Sequence, residues 1–136
     1  MRNVGPTREQ FEIFKNLPRD TPIMLLNLIK LNKRARYEDG RKATGEEAYA
    51  TYKQESTPIV ASVGGSIIWR GTPESILIGP EDERWDLSFI SHFPNSKAFL
   101  DMVTEPAYQA IAFHRQAAVK DSRLIRMGET EPGIGF

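Results

Sequence analysis

The chain has 136 residues, enough for one hydrophobic core, so we predict a single domain over residues 1–136. Its 18 basic and 18 acidic side chains balance, which gives no electrostatic basis for binding nucleic acid or an anionic membrane. The absence of cysteine excludes disulfides, thiolate catalysis and cysteine-ligated metal centres. Since no stretch approaches the roughly 20 apolar residues of a membrane span, we expect a cytoplasmic protein without a membrane partner.

The N-terminal part predicts a short helix followed by a strand. Thr7 to Gln10 has the form of a capping box, and the helix that it opens should end at Pro18, within an N-terminal extension over residues 1–21. The run 22–31 is apolar almost throughout and too short for a buried helix. It predicts a strand that is covered on both faces.

A polar loop over residues 32–43 should lead to the second helix. Thr44 begins another capping box, and the glycine pair at 64–65 should stop the helix near Val63. Proline lacks the amide hydrogen and crowds the preceding turn, so we expect Pro58 to kink or restart this helix.

Two further strands follow the glycine pair. Residues 66–71 alternate as a strand, and residues 75–79 resume the pattern, so we expect one long strand with a bend at the Gly71-Thr-Pro73 segment. After a charged turn, the stretch from Trp85 to Phe93 has the clearest strand pattern in the chain.

The C-terminal part predicts helices and a last strand. Asn95 should cap a short helix, and Pro106 should open a longer one that runs to about Lys120. A strand over 122–127 and a glycine- and proline-rich tail over 128–136 complete the chain.

The order of the elements after the first helix is βαββαβ, which predicts an α+β, ferredoxin-like sandwich with helices on one face of an antiparallel sheet. Helices can cover only one face of that sheet, although the first strand is apolar on both faces. The sheet of a second copy would cover the other face, so we expect a homodimer.

Several short sequence segments, taken together and in this order, resemble those of one protein family. They include 24–30 (MLLNLIK), Tyr37, Gly45, Ala48-Tyr49, Tyr52, Gly64-Gly65, 69–71 (WRG), 78–80 (IGP), Trp85-Asp86, Pro94, 107–111 (AYQAI), His114-Arg115 and 121–124 (DSRL). Over residues 22–126 the chain resembles an uncharacterised family, a domain of unknown function, of the dimeric α+β-barrel superfamily. The resemblance implies a homodimeric barrel but no particular reaction, because that superfamily includes cofactor-independent monooxygenases, haem-degrading enzymes, isomerases and binding modules.

Two neighbouring side chains in the last helix are the first candidates for chemistry. The helical wheel places His114 on the apolar arc and Arg115 at its flank, so both should face the interior. His114 would act as a general base or acid, or would be a hydrogen-bonded core histidine. Arg115 needs an anionic partner, which would be a protein carboxylate such as Asp86 or Glu105, or the carboxylate of a substrate.

The remaining candidates would line a pocket between sheet and helices. Asn27 interrupts an apolar strand, so its amide would either satisfy the core or donate to a developing oxyanion. Binding surfaces there are predicted from Tyr49, Trp69, Trp85 and Tyr108, although packing would explain each of them as well. Arg70, beside Gly71, would hold an anion at a strand bend or form an exposed salt bridge.

The chain has no metal-ligand spacing, phosphate-cradling glycine loop, nucleophile elbow or dinucleotide fingerprint, so we predict no cofactor and no metal. The leading hypothesis is a protein that binds a small anionic or aromatic metabolite. If it is an enzyme, a cofactor-independent isomerisation or oxygenation would suit these residues. The alternative is a dimeric module without catalytic activity, whose polar groups satisfy one another.

Overall fold

The computed structural model describes residues 2–136, and its sheet confirms the ferredoxin-like α+β fold. The elements are α1 (Arg8–Asn16), β1 (Ile23–Leu31), α2 (Gly45–Ser62), β2 (Ser66–Gly71), β3 (Leu87–Phe93), α3 (Ser96–Thr104), α4 (Pro106–Gln109), α5 (Ala112–Ala118) and β4 (Val119–Met127). The four strands lie in the order β2-β3-β1-β4, and all three neighbouring pairs are antiparallel. This is the βαββαβ topology expected from the sequence.

Both predicted capping boxes are present and begin their helices. The Thr7 hydroxyl accepts from the Gln10 amide at 3.1 Å, and the Gln10 side chain accepts from the Thr7 amide at 3.1 Å. Thr44 and Glu47 form the same pair of bonds at the start of α2. Each box satisfies amides that the first helical turn leaves without a partner, which fixes where the helix starts.

The helices pack on one face of the sheet. Ile23 and Leu25 of β1 form the core with Phe93 and Met102, and partly buried side chains of α1, α2 and α3 pack around them. Burial alternates along β1, so its other face carries half-buried side chains and no helix. The strand is therefore apolar on two faces, of which the helices cover one.

The helix α2 passes Pro58 without interruption, so the expected restart there is wrong. Pro58 removes the amide that would bond the carbonyl of Gln54, and both residues are exposed, so water can bond that carbonyl. In the preceding turn, the Thr57 hydroxyl donates to the Lys53 carbonyl at 2.6 Å. The chain then leaves the helix through Gly64, whose φ of +79° favours glycine.

The expected continuation of β2 over residues 75–79 is also wrong. These residues form no strand, and Leu77 and Ile78 are almost fully exposed. Gly71 already pairs with Ser88, one residue from the start of β3, so the sheet has no partner left for the chain beyond it. The strand β3 itself begins at Leu87, two residues later than predicted.

The long helix expected from Pro106 to Lys120 is divided into α4 and α5, with the break at Ala110 and Ile111. Its end is set by a long-range contact. Asn32 lies just after β1 and donates two hydrogen bonds to the end of α5. Its backbone amide donates to the carbonyl of Ala118 at 2.8 Å, and its side chain donates to the carbonyl of Ala117 at 3.1 Å. The chain then enters β4 directly. Within residues 2–136 no helix is long and apolar enough to cross a bilayer.

Candidate functional site

The helix-facing side of the sheet carries one row of side chains across all four strands. Asn27 of β1 lies opposite Phe89 of β3 and opposite Leu124 of β4. Arg70 of β2 lies on the other side of Phe89. These four residues line a cleft of about 1930 Å³ between the sheet and the helices, which we call the sheet–helix cleft.

A β-bulge decides which side chains of β2 face this cleft. The register between β2 and β3 shifts between Ile67 and Trp69. Beyond the shift, Arg70 lies opposite Phe89, on the helix-facing side. A regular strand would place Trp69 opposite Phe89, because alternation has a period of two residues. The bulge therefore brings Arg70 into the cleft and turns Trp69 to the opposite face.

Arg115 reaches the cleft from α5, and the partners of its guanidinium are neutral. It donates to the backbone carbonyl of Val4 and, at 3.4 Å, to Ser122 Oγ. None of the ion pairs within residues 2–136 involves Arg115. The expected protein carboxylate is therefore wrong, and Asp86 instead accepts from the amide of Leu31 at 2.7 Å.

Three tyrosines line the helix side of the cleft. Tyr49 and Tyr52 come from α2, and the Tyr52 hydroxyl lies 2.8 Å from that of Tyr108 on α4. Burial raises the pKa of Tyr49 to about 12, and the positive charges of Arg115 and Arg70 oppose that rise. Burial, with the neighbouring Tyr108, also raises the pKa of Tyr52. Both phenols therefore stay protonated at neutral pH and can donate hydrogen bonds.

Apart from the tyrosines, all ionisable side chains that line the cleft are basic. Five basic residues line it, apart from Arg123 at its rim, and none of the residues lining it is Asp or Glu. The five are Arg2, Lys53, Arg70, Arg115 and Arg126. Arg123 lies opposite Leu28, on the other face of the sheet, and pairs with Glu83 and Asp121. Arg70 makes no hydrogen bond or ion pair within residues 2–136. The chain as a whole is neutral, so this one-sided lining is a local feature.

The structure does not bring His114 into this cleft, although the side chain is buried as expected. Its Nδ1 lies 2.7 Å from the Tyr37 hydroxyl, and its Nε2 lies 3.5 Å from Glu55 Oε2. Phe113 stacks on the ring with a centroid distance of 4.0 Å. Neighbouring residues of a helix differ by 100° in direction, so His114 and Arg115 face different surroundings. Both ring nitrogens of His114 have protein partners.

Trp69 and Trp85 also lie outside the sheet–helix cleft. Both line a shallow depression on the opposite face of the sheet, together with Leu28. Arg123 covers the Trp85 ring at 5.0 Å from its centroid. Of the predicted site residues, the structure therefore brings five together in the cleft, namely Asn27, Tyr49, Arg70, Tyr108 and Arg115.

The N-terminal segment contributes to the site in a way that the sequence did not indicate. Besides the Val4 carbonyl, Arg2 donates to the carbonyl of Val119 at 3.1 Å, and Ser122 Oγ donates to the carbonyl of Asn3 at 2.6 Å. In each case a side chain donates to a backbone carbonyl in a distant part of the chain, and such contacts carry no sequence motif. Ser122 belongs to the segment 121–124, but nothing in that segment indicates a contact with Arg115.

Known proteins share this architecture. The RPA0582 protein in its methylated form is 47% identical, with a TM-score of 0.94 and 98% of each chain covered. RPA0582 from Rhodopseudomonas palustris, a protein of unknown function, is 45% identical, with a TM-score of 0.93, 97% of this chain and 100% of that chain covered. No curated protein matches this chain.

A more distant likeness concerns the fold alone. SnoaB, a cofactor-independent oxygenase from Streptomyces nogalater, is 11% identical, with a TM-score of 0.52 over 82% of this chain and 96% of that one. The shared fold is the ferredoxin-like α+β sandwich, with the antiparallel strand order β2-β3-β1-β4. Residues 40–128 match the model of a domain of unknown function, DUF1330. The chain therefore belongs to the DUF1330 family.

Proposed function

We propose that the sheet–helix cleft binds a small carboxylate or a similar anion. The one-sided charge of the lining supports this proposal most directly, with five basic residues besides the paired Arg123 and no acidic residue. Positive charges that face a concave, partly dry surface attract an anion more strongly than the same charges do on open surface. A neutral or cationic ligand would gain nothing from this arrangement.

Arg115 and Arg70 are the residues that we expect to contact the anion. Arg115 donates to a neutral backbone carbonyl and a hydroxyl, which are weaker partners for a guanidinium than a carboxylate is. Arg70 has no partner within residues 2–136 and faces the same cleft. Tyr49 is close enough to both for their charges to act on its pKa, so the two guanidiniums share one region of the cleft.

Proton abstraction is poorly served by this site. A general base needs a pKa near the working pH, whereas burial holds the pKa of Tyr49 at about 12. His114 is engaged by Tyr37 and Glu55 and does not line the cleft. Any reaction here would use the tyrosine hydroxyls as donors or acids, so binding is the function that the site supports best. Isomerisation and oxygenation remain secondary hypotheses.

Thermal unfolding with simple anions tests the proposal. We expect acetate, succinate or phosphate to raise the melting temperature of the wild type in a concentration-dependent way. Replacing Arg70 by Met should weaken anion binding roughly 10- to 100-fold, because it removes a charge-assisted hydrogen bond. Arg115→Met should have a similar effect.

Arg84→Met is the matched control, because it removes the same charge from an exposed turn outside the cleft. It should bind anions as the wild type does. Equal anion affinity in all four proteins would overturn the proposal, as would the absence of any anion effect on the wild type. His114→Phe should leave anion binding unchanged, since the side chain lies outside the cleft.

We also propose that the chain forms a homodimer through the open face of its sheet. That face carries Leu28 of β1, Ile90 of β3 and Ile125 of β4, and Trp69 at its edge. Ile125 and Trp69, on the two outer strands, are 48% and 52% exposed, and together with the apolar residues between them they form an apolar patch of the kind that marks a protein interface. A twofold pair would bury this face of both copies with a single self-complementary patch.

Sedimentation of a charged variant tests the dimer. Ile125→Glu should convert the protein to a monomer, because a carboxylate would be buried at the centre of the interface. Ile13→Glu is the control, since Ile13 is 66% exposed on α1, on the helix side of the sheet. A monomeric wild type would refute this proposal without affecting that of the anion site.

A further inference from the structure

The orientation of the Asn27 amide says what kind of group the inner part of the cleft accepts. Its Nδ2 donates to the carbonyl of Leu25 at 3.0 Å. Rotating the amide by half a turn would set its oxygen against that carbonyl, and two acceptors repel each other. The hydrogen-bond network therefore fixes which end of the amide is the oxygen.

The oxygen of Asn27 has no hydrogen-bond partner among residues 2–136. The residue is 9% exposed and its Nδ2 bond is its one side-chain hydrogen bond within residues 2–136. In the same part of the chain, no fully inaccessible side-chain oxygen or nitrogen lacks a partner, so the Asn27 oxygen keeps some accessible surface. Because the residue lines the cleft, we infer that this surface faces the cleft. A nearly buried acceptor of this kind needs a donor from whatever fills the cleft.

This acceptor and the group that holds the Arg115 guanidinium lie on the same side of the sheet. Ser122, which accepts from the guanidinium at 3.4 Å, pairs with Ile29, two residues from Asn27 on β1. Asn27 and Ser122 are thus diagonal neighbours on one face of the sheet, roughly 7–8 Å apart at their backbones. We infer that one small ligand with a polar group at each end can reach both Asn27 and Arg115.

Apolar side chains lie on both sides of Asn27. Phe89 of β3 and Leu124 of β4 flank it on the adjacent strands, and Tyr49 of α2 lines the same cleft. Aromatic rings favour a planar partner in offset or edge contacts. A carboxylate would be repelled by the Asn27 oxygen and attracted by Arg115, which sets the direction of the ligand.

We propose that the ligand class is a small hydroxyaryl carboxylate, with its carboxylate on Arg115 and its hydroxyl donating to Asn27 Oδ1. This inference rests on the proposed anion site and adds the second polar contact. It makes Asn27 the residue that distinguishes a hydroxylated ligand from its parent acid.

Calorimetric titration with benzoate, 3-hydroxybenzoate, 4-hydroxybenzoate and 4-fluorobenzoate tests the inference. The wild type should bind one of the hydroxybenzoates about 10-fold more tightly than benzoate, the gain expected from one buried hydrogen bond. The fluoro compound has nearly the same size but no donor, so it should bind no better than benzoate. Equal affinity for the fluoro and hydroxy compounds would overturn the inference without any variant.

Asn27→Leu provides the matching change in the protein. It keeps the size of the side chain and removes the acceptor, so benzoate affinity should change less than about 3-fold while the preference for the hydroxyl disappears. A preference retained in Asn27→Leu would assign the hydroxyl to another residue and refute the inference.

The two proposals fail in different ways. If the aryl acids bind equally well and their binding depends on Arg115, the hydroxyl contact is refuted and the anion site stands. If none of the aryl acids binds but acetate or succinate does, the aryl class is wrong. If Arg115→Met and Arg70→Met change no anion affinity, the anion site itself is refuted.

Discussion

A single methyl group added at Gly45 should disturb the whole helix side of the cleft. Gly45 is the first residue of α2 and lies against the chain just after β1. A Cβ at this position would lie 1.9 Å from the Asn32 carbonyl oxygen and 2.8 Å from the carbonyl carbon. Both are backbone atoms, so no flexible side chain can move aside.

The size of the effect follows from these distances. Ordinary contact for a Cβ begins at 3.4 Å, so α2 and the end of β1 would have to separate by about 1.5 Å. Overpacking usually costs about 1–3 kcal/mol, and we expect the upper end because backbone meets backbone. That corresponds to a melting temperature lower by roughly 10 °C for a chain of this size. The same movement displaces Tyr49, one turn further along α2, so anion binding should weaken as well.

Thermal unfolding followed by circular dichroism measures the loss in Gly45→Ala. Gly128→Ala is the neutral control, since a Cβ there would meet nothing within 4 Å. Gly40→Ala isolates backbone strain, because Gly40 has open space but a φ of +78°, and it should lose about 1–2 kcal/mol. A Gly45→Ala protein as stable as Gly128→Ala would refute the close approach of α2 to β1.

Three further outcomes are expected. Between pH 10 and 12 the wild type should lose up to about 2 kcal/mol of stability through Tyr49, because its pKa rises from 10.0 in the unfolded chain to about 12 and ionisation therefore favours unfolding. In Tyr49→Phe, stability measured by denaturant titration should fall less steeply over this range, and an unchanged slope would contradict the assigned pKa. A double-mutant cycle of Tyr52→Phe and Tyr108→Phe should give a coupling of about 0.5–1.5 kcal/mol, whereas additive effects would exclude the hydrogen bond between their hydroxyls. Thr44→Ala should lower the free energy of unfolding by about 1 kcal/mol, because it removes the cap of α2. Thr51→Ala makes the same exchange inside that helix and should lower it less, as measured by chemical denaturation.

Local chemistry made much of the fold predictable. The capping boxes at Thr7 and Thr44 involve residues three positions apart, so the start of each helix follows from a few neighbouring side chains. Asn95, predicted as a cap, accepts from the amide of Ala98 at 2.8 Å. The apolar run of β1 was equally informative, because a strand that is apolar on both faces has to be central in its sheet.

Long-range pairing made the remainder unpredictable. The bulge in β2 exists only relative to β3, and it decides whether Trp69 or Arg70 faces the cleft. The end of α5 depends on Asn32, 85 positions before Ala117 in the chain. The helical wheel treated residues 106–120 as one helix and so placed His114 and Arg115 together. Both lie in α5, but distant segments of the chain give them separate environments. His114 meets Tyr37 and Glu55, whereas Arg115 meets Val4 and Ser122.

The cleft is lined by basic residues although the chain as a whole carries no net charge. With 18 acidic side chains available, a fold selected for stability alone would be expected to bring one of them to the half-buried Arg115, since a charge that is partly removed from water gains most from a charged partner. Instead, all acidic residues lie outside the lining, and Arg115 bonds a carbonyl and a hydroxyl. Local departures of this kind from the most stable arrangement are typical of functional sites. The arginines without carboxylate partners therefore point to the ligand more directly than the buried histidine does, because the histidine lies outside the cleft and is hydrogen-bonded to Tyr37.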